Sequence, residues 1–188
     1  METRTPGWPR SRLVTALILI TFCGILLLIL APVFLSPAPR APGVRCLSNL
    51  RLQGAALLAY ADENCGHLPV AANWCSAVRR TKVISNPQVP ILRVLTCPAL
   101  PNGQLGGYAF NSALSAAKPP VGRTAARSVS IFECAAGLNH YGGQRLLLKQ
   151  PRHYDGVNLA FADGHVKWMK EALTGKLTWD LPQTEERR

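Results

Sequence analysis

The sequence predicts an α+β fold: an N-terminal transmembrane helix, a proline linker, then one amphipathic helix packed on an antiparallel sheet. Three observations predict it. No residue from Leu13 to Leu35 is charged, leucines and small residues recur at helical spacing after Val44, and apolar residues alternate on both sides of Asp163-Gly164. The 188 residues hold one domain and an appendage, because domains typically run to about 100–200 residues. A large multidomain enzyme is thereby excluded. With 48% hydrophobic and 16% charged residues, the chain is not a charge-rich disordered polymer. Its Gly 15 and Pro 15 imply few helices and many turns.

Residues 1–12 form a short N-terminus in which Arg4, Arg10 and Arg12 precede the apolar run. The run itself, residues 13–35, makes about 34 Å of helix at roughly 1.5 Å per residue, enough to cross a hydrocarbon layer of about 30 Å. Cleavable secretory signals have apolar cores of about 7–15 residues, shorter than this one, so an uncleaved anchor is expected. The positive-inside rule puts the three arginines in the cytoplasm. The expected placement is therefore single-pass in the inner (cytoplasmic) membrane, with membrane lipid as a partner and the C-terminal domain extracytoplasmic. Pro37, Pro39 and Pro42 in residues 36–43 fix an extended linker.

The domain proper is expected over 44–180. Leu47, Leu50, Gly54, Leu57, Leu58 and Ala61 recur at offsets of three, four and seven, which predicts an amphipathic helix from Val44 to Asn64. Gly66 ends it and Pro69 prevents its resumption. From Val70 to Val121 there is no sustained period but many prolines, predicting loops with short strands. Strands are expected at Ser128–Phe132 and Gln144–Lys149. Val157, Leu159 and Phe161 alternate with Asn158 and Ala160 ahead of Asp163-Gly164, and alternation resumes over 165–168. That is a hairpin whose turn suits a type I′ geometry. Residues 181–188 form a charged tail.

The net charge of +11 is spread thinly, and aromatic residues do not interleave with the basic ones, so no nucleic acid partner is expected. Beyond Cys23 the cysteines are Cys46, Cys65, Cys75, Cys97 and Cys134. In an exported domain they read as candidates for disulfides, Cys65 with Cys75 first and Cys46 with Cys97 second. There is no Cys-x-x-Cys, and His67, His140, His153 and His165 do not fall at zinc-finger spacing, so neither a structural zinc site nor any other cofactor is expected. A Cys nucleophile at Cys97 or Cys134, with His153 or His140 as base and Asp163 as orienter, can be drawn on paper. No local pattern identifies one, and an enzyme is not expected. Asp155, Asn158 and Asp163 are too few for calcium.

The run from Arg152 to Trp168 places nine residues between His153 and Asp163-Gly164. It resembles the H-X9-DG pattern of bacterial pseudopilin-like proteins, described as prepilin-type or type II secretion G-like. The stretch holding Cys46, Asn49 and Leu50, then Tyr60 and Asp62, resembles the family's first exported helix. Cys97-Pro98, then Gly107 to Asn111, then Ser128 to Glu133 follow in the family's order. The likeness covers roughly Arg45 to Met169. It implies a pilin-like architecture, a noncatalytic structural role in a cell-envelope, type II secretion or pilus-like assembly, pilin-like or secretion-system partners, and structural parts for Asn49, Cys97, Pro98, Asn111, His153, Asp163 and Gly164. Two features depart from the pattern: the apolar run contains no Glu, and prolines follow it where the family has one continuous spine helix. A tethered binding module that does not polymerise is the alternative.

Overall fold

The computed structural model describes residues 10–35, 40–85 and 90–181. The chain falls into two compact units, Met1–Ala38 and Pro39–Arg188. The first contains α1 (Arg10–Leu35). Its window Arg12–Ile29 is long and apolar enough to cross a membrane, and none of it is buried. A membrane-crossing helix has that character, and an N-terminal signal sequence shares it. The Thr21 hydroxyl is satisfied inside the helix by the carbonyls of Leu17 and Ile18, at 3.0 and 2.9 Å.

The second unit begins with α2 (Arg40–Glu63), which starts four residues before the expected Val44. Pro42 lies in the first turn, where a helix has no intrahelical use for an N–H, so proline does not break it there. The linker expected over 36–43 is shortened accordingly. Its first part, residues 36–39, lies outside the described residues, as do 1–9 and the tail from 182 onward. The helix closes where expected: Cys65 and Gly66 take positive φ of 55° and 82°, and the Gly66 N–H reaches the Ala61 carbonyl at 2.8 Å.

The proline-rich middle is more ordered than its sequence suggests. It holds the short helices α3 (Trp74–Arg80) and α4 (Ile91–Val94), strand β1 (Gly106–Asn111) and the single-turn helix α5 (Gly122–Ala125). Strands β2 (Val129–Ala136), β3 (His140–Gly142), β4 (Gly156–Phe161) and β5 (Val166–Lys170) follow. The strand expected over Gln144–Lys149 is instead a 3-10 turn at Gln144–Leu146.

The sheet has the order β3-β1-β2-β4-β5. It is mixed, which corrects the all-antiparallel expectation: β3 runs parallel to β1, while the other pairings are antiparallel. The chain leaves β2 through Gly137 and Asn139, both at positive φ, and returns on the far side of β1. There Trp74 Nε1 donates to the His140 carbonyl at 3.0 Å, and Asn139 Oδ1 accepts from the Cys75 N–H at 3.2 Å.

Both sheet faces are covered. On one, Cys46, Leu50 and Leu57 of α2 pack with Trp74, Tyr108, Phe110, Ile131 and Ala160. On the other, Val157, Leu159 and Phe161 meet Phe132, Leu147 and Trp179, with Trp179 edge-on to Phe132 at 5.1 Å. The helix therefore takes the small-residue face of β4, and the C-terminal segment covers the large-residue face.

The hairpin between β4 and β5 forms, but not with the expected I′ turn. The Gly164 N–H bonds the Phe161 carbonyl at 2.9 Å and the Phe161 N–H bonds the His165 carbonyl at 2.9 Å. Gly164 has φ +87° and Asp163 does not take positive φ. This is the three-residue connection, in which one turn is followed by a single left-handed glycine. Asp163 Oδ1 accepts from the His165 N–H at 3.1 Å, which is the local role a turn aspartate plays.

Candidate functional site

Four buried side chains from separate segments meet under α2: Cys46 from the helix, Cys97 from the turn after α4, Glu133 from β2 and His153 from the segment before β4. Their exposures are 0%, 1%, 0% and 4%. One donor atom from each lies within 4.8 Å of every other. Cys46 sits on the buried stripe of α2, one turn before Leu50. Glu133 points to the same face because the side chains of a strand alternate and its neighbour Phe132 packs on the opposite face.

The contacts are specific. Cys46 Sγ donates to Glu133 Oε1 at 2.7 Å and lies 3.5 Å from Cys97 Sγ. His153 Nε2 is 3.0 Å from Glu133 Oε1 and 3.5 Å from Cys97 Sγ. Asn158 Nδ2 donates to Glu133 Oε1 at 2.9 Å, and Tyr108 Oη lies 3.1 Å from Cys46 Sγ. Oε1 of Glu133 is thus crowded with donors, while its Oε2 is buried with no hydrogen-bond partner.

The electrostatics follow from this enclosure. Burial, with the neighbouring Cys97 and Glu133, pushes the Cys46 thiol up. The hydrogen bond from Cys46 outweighs burial at Cys97 and, with His153, lowers it to about 5. Burial alone would lower His153, but its bonds to Cys97 and Glu133 carry it up to about 9. Burial works to raise Glu133, and the donors around it, His153 foremost, hold it below the usual carboxylate range. The group is a buried, hydrogen-bonded knot in which each side chain shifts the titration of its neighbours.

The residues singled out from the sequence divide around this knot. His153 bonds Glu133 and Cys97, while Asp155 pairs with Lys170 at 3.1 Å on the surface. Asn49 lies beside the knot, and its Nδ2 donates to the carbonyls of Arg93 and Thr96, both at 3.0 Å, which fixes the approach to Cys97. Pro98 follows Cys97 and is exposed. Asn111 stands apart, tying β1 to Val129 and Trp179 through Nδ2 at 2.8 and 2.9 Å. Asp163 and Gly164 shape the hairpin turn, and Asp163 Oδ1 also lies 2.6 Å from His165 Nδ1.

Neither expected disulfide forms. Cys65 is exposed while Cys75 is buried, and both are free. Cys46 and Cys97 are neighbours, yet their 3.5 Å separation is far from the roughly 2.05 Å of a bonded pair. Glu133 and the gathering of four donors escaped the sequence reading. The clue there was that Cys46, Cys97, Glu133 and His153 all fall inside the resembling motifs.

A nucleophilic role for Cys97 has its base, His153, and a carboxylate behind it, Glu133 in place of the expected Asp163. A cleft of about 450 Å³ reaches His153 and Asn158 from the side of Gly43 and Trp168, but neither Cys46 nor Cys97 lines it. His140, the other candidate base, bonds the Ala136 carbonyl at 3.0 Å.

No family model matches the chain, and no curated protein or solved structure does.

Proposed function

We propose that the chain is a membrane-anchored, pseudopilin-like structural component of a bacterial cell-envelope assembly of the type II secretion or pilus-like kind, held in the inner membrane with its head outside the cytoplasm. One observation carries the reading: a membrane-length apolar helix precedes a head in which the next helix lies along a sheet whose last hairpin bears the His153 and Asp163-Gly164 pattern, with His153 locked in the core. The head is built to be rigid. Asn49, Glu133 and His153 are spent on internal bonds, and the thiols of Cys46 and Cys97 are buried. The partners are membrane lipid and pilin-like or secretion-system proteins.

The test is cross-linking in native membranes with single cysteines placed along α1. Assembly gives a ladder of homo- or hetero-oligomers whose yield follows one helix face. A chain that stays monomeric at every position is instead a tethered binding module, a second reading favoured by the absence of any Asp or Glu between Leu13 and Leu35. External protease that digests the head in spheroplasts supports the extracytoplasmic placement, and full protection refutes it.

A further inference from the structure

We infer that Cys46, Cys97, Glu133 and His153 form a four-coordinate site for a zinc-class divalent cation that fastens α2 to the sheet. The donor set is the first argument. Two sulfurs, one imidazole nitrogen and one carboxylate oxygen are ligands that zinc accepts, and thiolates select against calcium and magnesium. The geometry is the second. With metal–sulfur bonds near 2.3 Å and metal–nitrogen or –oxygen bonds of about 2.0–2.1 Å, tetrahedral donors stand roughly 3.3–3.8 Å apart. The Cys46–Cys97 and Cys97–His153 separations are both 3.5 Å. The shorter distances to Glu133 Oε1 are hydrogen bonds, and the carboxylate retains a second oxygen that is buried and unpartnered.

The surroundings are those of a supported site. Metal-binding side chains are commonly oriented by outer hydrogen bonds. Here Asn158 holds the Glu133 carboxylate, Tyr108 stands against the Cys46 sulfur, and Asn49 ties down the residues ahead of Cys97. A hydrogen-bonded core knot accounts for the pairs one by one. It does not account for the buried Glu133 oxygen that has no hydrogen-bond partner, because such an oxygen is costly to bury. With one ligand from each of four segments, the ion acts as a cross-link across the head. The role is structural. It is independent of the assembly reading, since a monomeric chain would carry the same site.

The full-length chain, purified in detergent without reductant, decides it. After stripping with a chelator and reduction of all six cysteines, it is titrated with cobalt(II) and then zinc(II). The expected result is one cobalt per chain, a thiolate-to-cobalt charge-transfer band, the strong visible bands of four-coordinate cobalt, and loss of all of these on adding one equivalent of zinc. Cys97→Ser removes about half of the charge-transfer intensity, as expected for one thiolate of two, whereas Cys65→Ser leaves the spectrum unchanged. The inference is overturned by a reduced wild-type chain, folded by circular dichroism, that takes up no cobalt or gives only a six-coordinate spectrum without charge transfer. A Cys46–Cys97 disulfide found by mass spectrometry in the chain as isolated overturns it equally.

Discussion

Three hydrogen bonds converge on the Asn111 side chain, at the end of β1. Its Nδ2 serves the carbonyls of Val129 and Trp179, and its Oδ1 accepts from the Ala113 N–H at 3.1 Å. Removing the amide leaves two buried carbonyls without donors, each costing about 1–3 kcal/mol. Asn111→Ala should therefore lower unfolding stability in urea by about 2–4 kcal/mol, and Asn111→Asp should not rescue it, since a carboxylate cannot donate. Gly106 is a backbone case. It has φ +81°, and a Cβ there would overlap the Gly137 carbonyl oxygen, where the two segments bridge. Gly106→Ala should cost about 2 kcal/mol or more, from left-handed strain and displaced backbone together. A thermal melt of Gly106→Ala matching that of the wild type would contradict the close approach.

The element that organises the head is α2. Cys46, Leu50, Gln53, Leu57 and Ala61 are buried along one stripe, and Gln53 Nε2 bonds the Val94 carbonyl at 2.7 Å, which docks α4. Leu57 is 2% exposed, so Leu57→Ala should destabilise the head by about 2–5 kcal/mol, whereas Arg51→Ala on the exposed side should stay within about 0.5 kcal/mol of the wild type. Equal effects from the two substitutions, measured by denaturant titration, would mean the stripe is not the packed face. This helix and the β4–β5 hairpin were legible in the sequence because each has one buried and one exposed face, or a turn of demanding chemistry. Strand β1 was not legible. All six of its residues are buried, so no polar alternation marks it, as is usual for strands covered on both faces. The parallel β3 was hidden for a different reason: pairing direction depends on the route the chain takes after Gly137, not on residue pattern.

At the scale of the whole molecule, the four-donor cluster explains why local spacing was silent. Its members come from a helix, a turn, a strand and a strand approach, and only the completed packing of α2 on the sheet brings them together. Motif order in the sequence took in Cys46, Cys97, Glu133 and His153, but what joins Glu133 to the others depends on which face β2 turns to the helix. The same packing divides the cysteines. Cys46, Cys75, Cys97 and Cys134 are buried and free, Cys65 is exposed in the head, and Cys23 is exposed on α1. The core of Pro39–Arg188 contains no described residue of α1, so the head is expected to carry its own stability. A chain beginning at Pro39 should be soluble without detergent, unfold in one cooperative transition, and keep the unfolding free energy of the head in the whole chain to within about 1 kcal/mol, as separate folding units do. In that truncated chain a thiol reagent under native conditions should label Cys65 alone, and the remaining four cysteines should react only as the chain unfolds. Rapid labelling of Cys46 or Cys97 in the folded chain would show that α2 is not seated on the sheet.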